Sequence, residues 1–391
     1  MTALSRLLEP PRLRTVVSTD SEDRRATWLE LFFDLVFVAA VGQLANALAA
    51  EPTAVRFFEF VGVFVPVWWM WTGFTFYANR FDTDDLVYRL LTLLAMFGVA
   101  VLATTVPGVF EGATVGFPIA YVGVRLVLLA LYARASRHVP EARALAGTFL
   151  LAFGTAALIW TASVFTPAPW CYVLWGVALT VELVSPFRAW RLLRTAPIHP
   201  RHIPERFGLL TLIVLGESVL AVVLGVSKVS WATGSTVAAT AGFLVASSLW
   251  WIYFEFLDEG VVTSRGIVGG LTYTYMHFFV VAGLAALGAG VKLAILAAGG
   301  DHHYDGTGWV VSAGLALTMV GLAVIQLVSG PVVFDADVWL RLGTGALALV
   351  LIPFDLSPLT VMLVLAAVLV AQVAYELARH ESHHGLEELP P

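Results

Sequence analysis

A chain of 391 residues, 59% of them hydrophobic and only 13% charged, has too little polar surface for a water-soluble globule, because soluble domains carry about 25% charged residues. The formal net charge of −6 says little, since in a membrane the placement of charge outranks its sum. One cysteine, Cys171, excludes an intramolecular disulfide.

The first 27 residues are polar, carry Arg6, Arg12, Arg14, Arg24 and Arg25, and lack the apolar core of a cleavable signal peptide. The first helix is therefore expected to act as its own insertion signal. Apolar stretches near the length that a bilayer demands, about 20 residues, follow at 28–50, 55–78, 86–108, 114–136, 142–165 and 169–190, then at 205–227, 234–257, 268–296, 308–330, 336–353 and 357–379. The eleventh is the weakest, being short and carrying Arg341, and Pro66 lies inside the second. Continuous apolar runs without alternation predict helices, not a barrel. The expected fold is all-α: a polytopic membrane protein with about twelve transmembrane helices.

Lys and Arg give the orientation. With the N-terminus inside, 18 of the 22 fall on the cytoplasmic side: the five N-terminal arginines with Arg80, Arg89, Arg134, Arg137, Arg143, Arg188, Arg191, Arg194, Arg201, Arg206, Arg265, Arg341 and Arg379. Only Arg56, Lys228 and Lys292 fall outside, and Arg125 lies within the membrane. This asymmetry predicts both termini in the cytoplasm. The expected organisation is an N-terminal segment 1–27, a first six-helix repeat 28–190, a basic linker 191–204 facing anionic lipid heads, a second repeat 205–379 and a tail 380–391. Three correspondences in register support the repeat. Glu30-Leu-Phe-Phe matches Glu205-Arg-Phe-Gly, the pair Trp68-Trp69 matches Trp250-Trp251, and Tyr88 with Gly98 matches Tyr273 with Gly283. Six spans per half make the repeats parallel, about an axis along the membrane normal.

An ionisable side chain at the centre of a membrane helix costs roughly 2.5–3.5 kcal/mol on insertion scales, so such groups pair, face the bundle interior or meet water. Arg125 and Glu217, the deepest opposite charges on this map, are expected to pair directly or through a ligand, as a planar guanidinium suits a carboxylate. The same pair could simply fix helix register. His277 titrates near neutrality in its unperturbed form, and Tyr273 lies one turn before it on the same face. It reads either as part of a polar track or as a packed, hydrogen-bonded core residue. Glu30 and Asp34 share a helix face, where two carboxylates repel unless one is protonated or a cation lies between them. Glu182, Glu205 and Glu255 fall at similar depth, so the five acids could form a vestibule for a cation or amine. The helix dipole alone would account for Glu30, Asp34 and Glu205 near helix N-termini. Glu182 and Glu255, near C-terminal ends, need a partner such as Arg188. Trp68, Trp69, Trp71, Trp250 and Trp251 read as an interfacial aromatic belt, with stacking on a ligand as the sharper alternative.

Other chemistry finds no support. No G-x-x-x-x-G-K-[ST] loop, G-x-S-x-G elbow or H-E-x-x-H helix is present. Asp301-His302-His303-Tyr304-Asp305 and His383-His384 offer at most adventitious metal ligands, so no metal and no cofactor is expected.

Two motifs carry a family resemblance. Thr27-Trp-Leu-Glu-Leu-Phe-Phe-Asp-Leu-Val-Phe-Val-Ala-Ala-Val-Gly-Gln43 and His202-Ile-Pro-Glu-Arg-Phe-Gly-Leu-Leu-Thr-Leu-Ile-Val-Leu-Gly-Glu-Ser218 resemble those of the bacterial low temperature requirement A family, as does the tyrosine-rich run ending at His277. The resemblance covers residues 25 to 380 and implies a bacterial inner-membrane protein. It also implies that Glu30, Asp34, Glu205, Arg206, Glu217 and His277 belong to the family pattern, without assigning them roles. The Phe33-Asp34 start is also similar to potassium channels that open with Arg-x-x-x-Phe-Ser-Asp, although Phe33 stands where those channels have serine.

The function expected from these readings is a proton- or cation-coupled secondary transporter of a small solute. The alternatives are a pseudo-symmetric ion channel and a non-transport membrane protein, with an enzyme, a sensor or a lipid-adaptation factor as the non-transport readings. Expected partners are membrane lipid and a small solute or ion, with no nucleic acid, and a homodimer is the oligomer to test.

Overall fold

The computed structural model describes residues 9–13, 26–82, 85–194, 202–229, 232–255, 266–300, 304–329 and 336–387. Arg6, Arg14, Arg24, Arg25, Arg201 and Arg265, the Asp301-His302-His303 run, and the side chains of His383 and His384 lie outside that description.

Twelve helices long and apolar enough to cross a membrane occur among the described residues. The first six are α1 (Trp28–Ala50), α2 (Ala54–Arg80), α3 (Leu86–Phe110), α4 (Gly116–His138), α5 (Arg143–Val164) and α6 (Trp170–Arg188). They are followed by α7 (His202–Val226), α8 (Thr233–Phe254), α9 (Gly266–Gly299), α10 (Thr307–Ser329), α11 (Ala336–Leu351) and α12 (Pro358–Glu387). Each coincides with an expected span, and α2 runs through Pro66. The chain is a polytopic helical membrane protein. One exception to the all-α reading is a two-residue antiparallel ladder between β1 (Arg12–Leu13) and β2 (Phe81–Asp82).

Local chemistry fixes the helix starts. Glu30 Oε2 accepts from the Thr27 amide at 2.8 Å and the Thr27 hydroxyl accepts from the Glu30 amide at 3.2 Å. This reciprocal capping box satisfies two amides at the opening of α1. Asp85 caps α3 by accepting from the amides of Val87 and Tyr88. Arg134 then grips the same carboxylate with both guanidinium ends, at 2.9 and 2.8 Å, and donates to the Glu9 carbonyl at 2.7 Å. Large apolar side chains such as Phe97, Leu151 and Leu158 point outward and are 67–74% exposed. Such faces belong against lipid, while the backbone polar groups are satisfied within the helices.

The chain divides into two compact units. The first comprises residues 1–44 and 62–210, and so holds most of α1 and α2, all of α3 to α6 and the opening turns of α7. The second comprises residues 45–61 and 211–391, and so holds the α1–α2 connection, the rest of α7 and α8 to α12.

In the second unit the closest helix pairing is α9 on α10. A Cβ added at Gly314 would come 2.8 Å from the Leu287 amide nitrogen, and one at Gly321 would come 2.9 Å from the Met276 carbonyl oxygen. Gly283 and Gly290 oppose them from α9, where a Cβ would come 2.6 Å from the Gly314 carbonyl oxygen and from Val311 respectively. Small residues seven apart on both helices let the backbones touch, the packing that replaces the hydrophobic effect within lipid. Gly314→Leu is therefore expected to force α9 and α10 apart and to destabilise the protein by about 1–3 kcal/mol. Thermal unfolding in detergent would register this as a lowered midpoint, whereas Gly343→Leu, where the added Cβ meets nothing within 4 Å, should leave the midpoint unchanged.

Candidate functional site

The first unit buries a charged cluster made by three helix segments. From α1 come Glu30 and Asp34, one turn apart and 4% and 0% exposed. From the opening of α7 come His202 and Arg206, four residues apart on one face and equally buried. From α2 come Trp71 and Asn79, both fully buried.

Arg206 lies between the two acids. Its Nη2 donates to Asp34 Oδ1 at 2.6 Å, and its Nη1 lies 3.3 Å from Glu30 Oε1. The cation needed to hold Glu30 and Asp34 together is therefore a side chain of the same unit. The Trp71 indole Nε1 donates to Asp34 Oδ1 at 2.7 Å. The Trp71 ring stacks on Trp68, with centroids 5.3 Å apart, and Phe207 meets both rings edge-on. The Asn79 amide Nδ2 lies 3.1 Å from His202 Nδ1. With the Asn79 amide nitrogen turned to donate, Nδ1 accepts and the ring proton lies on Nε2. Nε2 lies 3.4 Å from Glu30 Oε1.

The cluster sets two carboxylates against one guanidinium, a surplus of one negative charge when both acids are ionised and the imidazole carries one proton. Among the described residues, Asp34 Oδ2 and Arg206 Nε are buried atoms without a hydrogen-bond partner. Glu205 accepts from the Ala26 amide at 2.9 Å, anchoring the approach to α1.

A second buried group in the same unit centres on Arg125. Its Nη2 donates to Glu182 Oε2 and to the Tyr121 hydroxyl, both at 2.5 Å, and the Tyr121 hydroxyl donates to Glu182 at 2.7 Å. All three side chains are fully buried. The guanidinium lies over the rings of Tyr121 and Phe153, 5.1 and 4.7 Å from their centroids. Gly73 leaves it room, since a Cβ there would come 3.2 Å from Nη1. The partner of Arg125 is thus Glu182 of α6, in place of the expected Glu217, and the partner of Glu182 is Arg125, in place of Arg188. The reason is packing: α4 and α6 both lie against α5, which brings their inward faces together.

In the second unit His277 is buried on α9, and both its nitrogens are engaged. Nδ1 faces the Tyr273 carbonyl at 2.8 Å and Nε2 faces the Tyr253 hydroxyl at 2.8 Å. A carbonyl can only accept, so Nδ1 carries the proton and Nε2 accepts from Tyr253. The Tyr273 ring packs on the imidazole, with centroids 4.1 Å apart. Glu217 is half-buried on α7, and Glu255 is exposed at the C-terminal cap of α8. The acids expected to form one vestibule therefore divide: Glu30 and Asp34 share Arg206, Glu182 belongs to Arg125, and Glu205 binds backbone.

Two features went unread in the sequence. Trp68, Trp69 and Trp71 are buried within the first unit, not on its outer face, and Trp71 is bonded to Asp34; Trp250 and Trp251 are 38% and 37% exposed. A further polar cluster joins α11 to α12. There Thr344 donates to Gln372 and Gln372 to Glu376, at 2.7 and 2.8 Å, with Arg341 Nη2 3.9 Å from Glu376. The signal for it was Gln372 and Glu376, four apart inside the last apolar span. His202 was likewise legible as the residue four before Arg206, once the helix starts at 202 and not at 205.

Comparison with known proteins places these residues in a wider group. The family model described as bacterial low temperature requirement A protein (LtrA) matches residues 25–374. An uncharacterized protein of Rhizobium meliloti (strain 1021) is 28% identical over 339 residues, which cover 82% of this chain and 78% of the relative.

Proposed function

We propose that this chain, which belongs to the bacterial low temperature requirement A protein family, is a proton- or cation-coupled secondary transporter of a small solute. The observation that carries this reading is the buried cluster of Glu30, Asp34, His202 and Arg206, in which two carboxylates share one guanidinium, inside a bundle of membrane-spanning helices. A purely structural ion pair would be charge-balanced. An unbalanced one costs several kcal/mol per uncompensated ion, and it becomes useful when a cation or proton arriving from one side changes the balance and biases two states of the bundle. Asp34 sits closest to that change, and Arg206 is the fixed charge against which it acts. The Arg125–Glu182–Tyr121 triad is balanced and holds helix register.

The distribution of Lys and Arg supports an inner-membrane location with both termini in the cytoplasm. Two related six-helix halves suit the same reading. Within their own units, Gly98 of α3 and Gly283 of α9 each abut the following helix, as a Cβ would come 2.6 Å from Val124 and from the Gly314 carbonyl oxygen respectively.

The test is uptake into proteoliposomes over a broad panel of labelled solutes, with a pH, sodium or potassium gradient imposed. Wild type is expected to accumulate one class of solute against its gradient. Asp34→Asn, which keeps an oxygen for Trp71 and Arg206, is expected to exchange that solute without accumulating it. Ion current through wild type in the absence of solute would replace this reading with a channel.

A further inference from the structure

Resting on the transport reading above, we infer that the coupling ion is a proton and that it binds Oδ2 of Asp34.

The oxygens of the cluster identify the ion. Glu30 Oε2 is engaged by the amide and hydroxyl of Thr27, at 2.8 and 3.0 Å. Glu30 Oε1 faces Arg206 and His202. Asp34 Oδ1 accepts from Trp71 and Arg206 at once. One carboxylate oxygen remains, Asp34 Oδ2, buried and without a hydrogen-bond partner among the described residues. A hard metal cation gathers about six or more oxygen ligands, and this cluster has a single unspent carboxylate oxygen beside a guanidinium that repels any metal. A proton needs one oxygen and no coordination shell.

Charge leads to the same atom. The groups facing Asp34 are Glu30 on its own helix, Arg206 from α7 and Trp71 from α2, and His202 lies beside Glu30. With the Asn79 amide turned to donate to Nδ1, His202 is the neutral imidazole and adds no charge. Adding H+ to Asp34 forms one O–H bond and turns −COO⁻ into −COOH. Oδ1 remains the carbonyl that accepts from Trp71 and Arg206, and the cluster becomes neutral, with Glu30 and Arg206 as its balanced pair. An ionised oxygen left bare in a dry interior costs more than a neutral hydroxyl in the same place. Release of the proton restores the surplus charge and loads Arg206 with two carboxylates, the change that the transport cycle would use.

The experiment is infrared spectroscopy of the full-length protein in lipid vesicles, reading the carboxylic acid C=O band. Three results are expected. A band present in wild type disappears in Asp34→Asn. The same band moves to lower frequency when the protein is labelled with 4-13C-aspartate. In Trp71→Phe, which tests the assignment independently should Asp34→Asn fail to fold, the band persists at higher frequency, because its carbonyl has lost one donor.

A band that vanishes in Asp34→Asn but ignores the aspartate label would put the proton on Glu30 and overturn the inference. So would the absence of any such band, or a band that appears only when sodium or potassium is withdrawn. None of these readouts requires transport. A protonated Asp34 in a protein that moves no solute would refute the transport reading alone.

Discussion

Arg206→Ala is expected to be the most damaging single substitution in the first unit. It removes the shared cation from Glu30 and Asp34, both buried. Breaking a buried pair costs about 3–5 kcal/mol because the remaining charge is left uncompensated, a large part of a typical stability of about 5–15 kcal/mol. Arg206→Lys should lie between wild type and alanine, since a compact ammonium cannot present two separate edges to two carboxylates. Adding Asp34→Asn to Arg206→Ala should recover stability, because one of the two orphaned acids is gone and Glu30 keeps its contacts with Thr27 and His202. A coupling of about 0.5–3 kcal/mol between the two substitutions is the range for groups in one network. Thermal unfolding of the four proteins in detergent measures it. Simple additivity would show that Arg206 does not act through Asp34.

The second large effect is at Arg125 and Glu182. Each residue alone is expected to be intolerant. Arg125→Met strands a buried carboxylate and Glu182→Met strands a buried guanidinium, each at about 3–5 kcal/mol. The double variant should be more stable than either single one. Replacing a complete buried ion pair by apolar side chains is often neutral or stabilising, and the ring of Phe153 and the stem of Leu128 already provide an apolar wall. Tyr121 would lose its acceptor in the double variant, so Tyr121→Phe added to it should restore a further increment. A double variant as unstable as the sum of its parts would show that these side chains contribute through separate contacts.

The spans were legible because lipid leaves the backbone one economical solution, and a run of apolar residues long enough to cross a bilayer carries that solution in composition alone. The helix starts were nearly as legible, although α7 begins three residues before its expected position. Those residues matter, because the added turn brings His202 into the cluster. Which residues bear the energetic cost was also readable: Glu30, Asp34, Arg125, Glu182, Arg206 and His277 are all buried. Their partners were less so. Arg125 and Glu217 looked matched because both lie mid-helix, but depth along a helix says nothing of the direction a side chain faces. The Arg125–Glu182 pair depends on which helices pack against α5, and that is decided by the whole bundle. Trp71 illustrates the same limit. A tryptophan in a membrane segment invites an interfacial reading, and only the position of Asp34 shows its indole nitrogen to be a hydrogen-bond donor in the core.

The central claim is that the charge imbalance at Asp34 couples solute movement to an ion. Its most direct test is the pH inside solute-free proteoliposomes when transported solute is added outside, with membrane potential clamped. Wild type should show a prompt change in internal pH that scales with solute uptake, and Asp34→Asn should take up solute to equilibrium with no pH change. A pH change of equal size in both proteins would contradict the assignment to Asp34, and uptake by wild type with no movement of protons or other cations would contradict coupled transport.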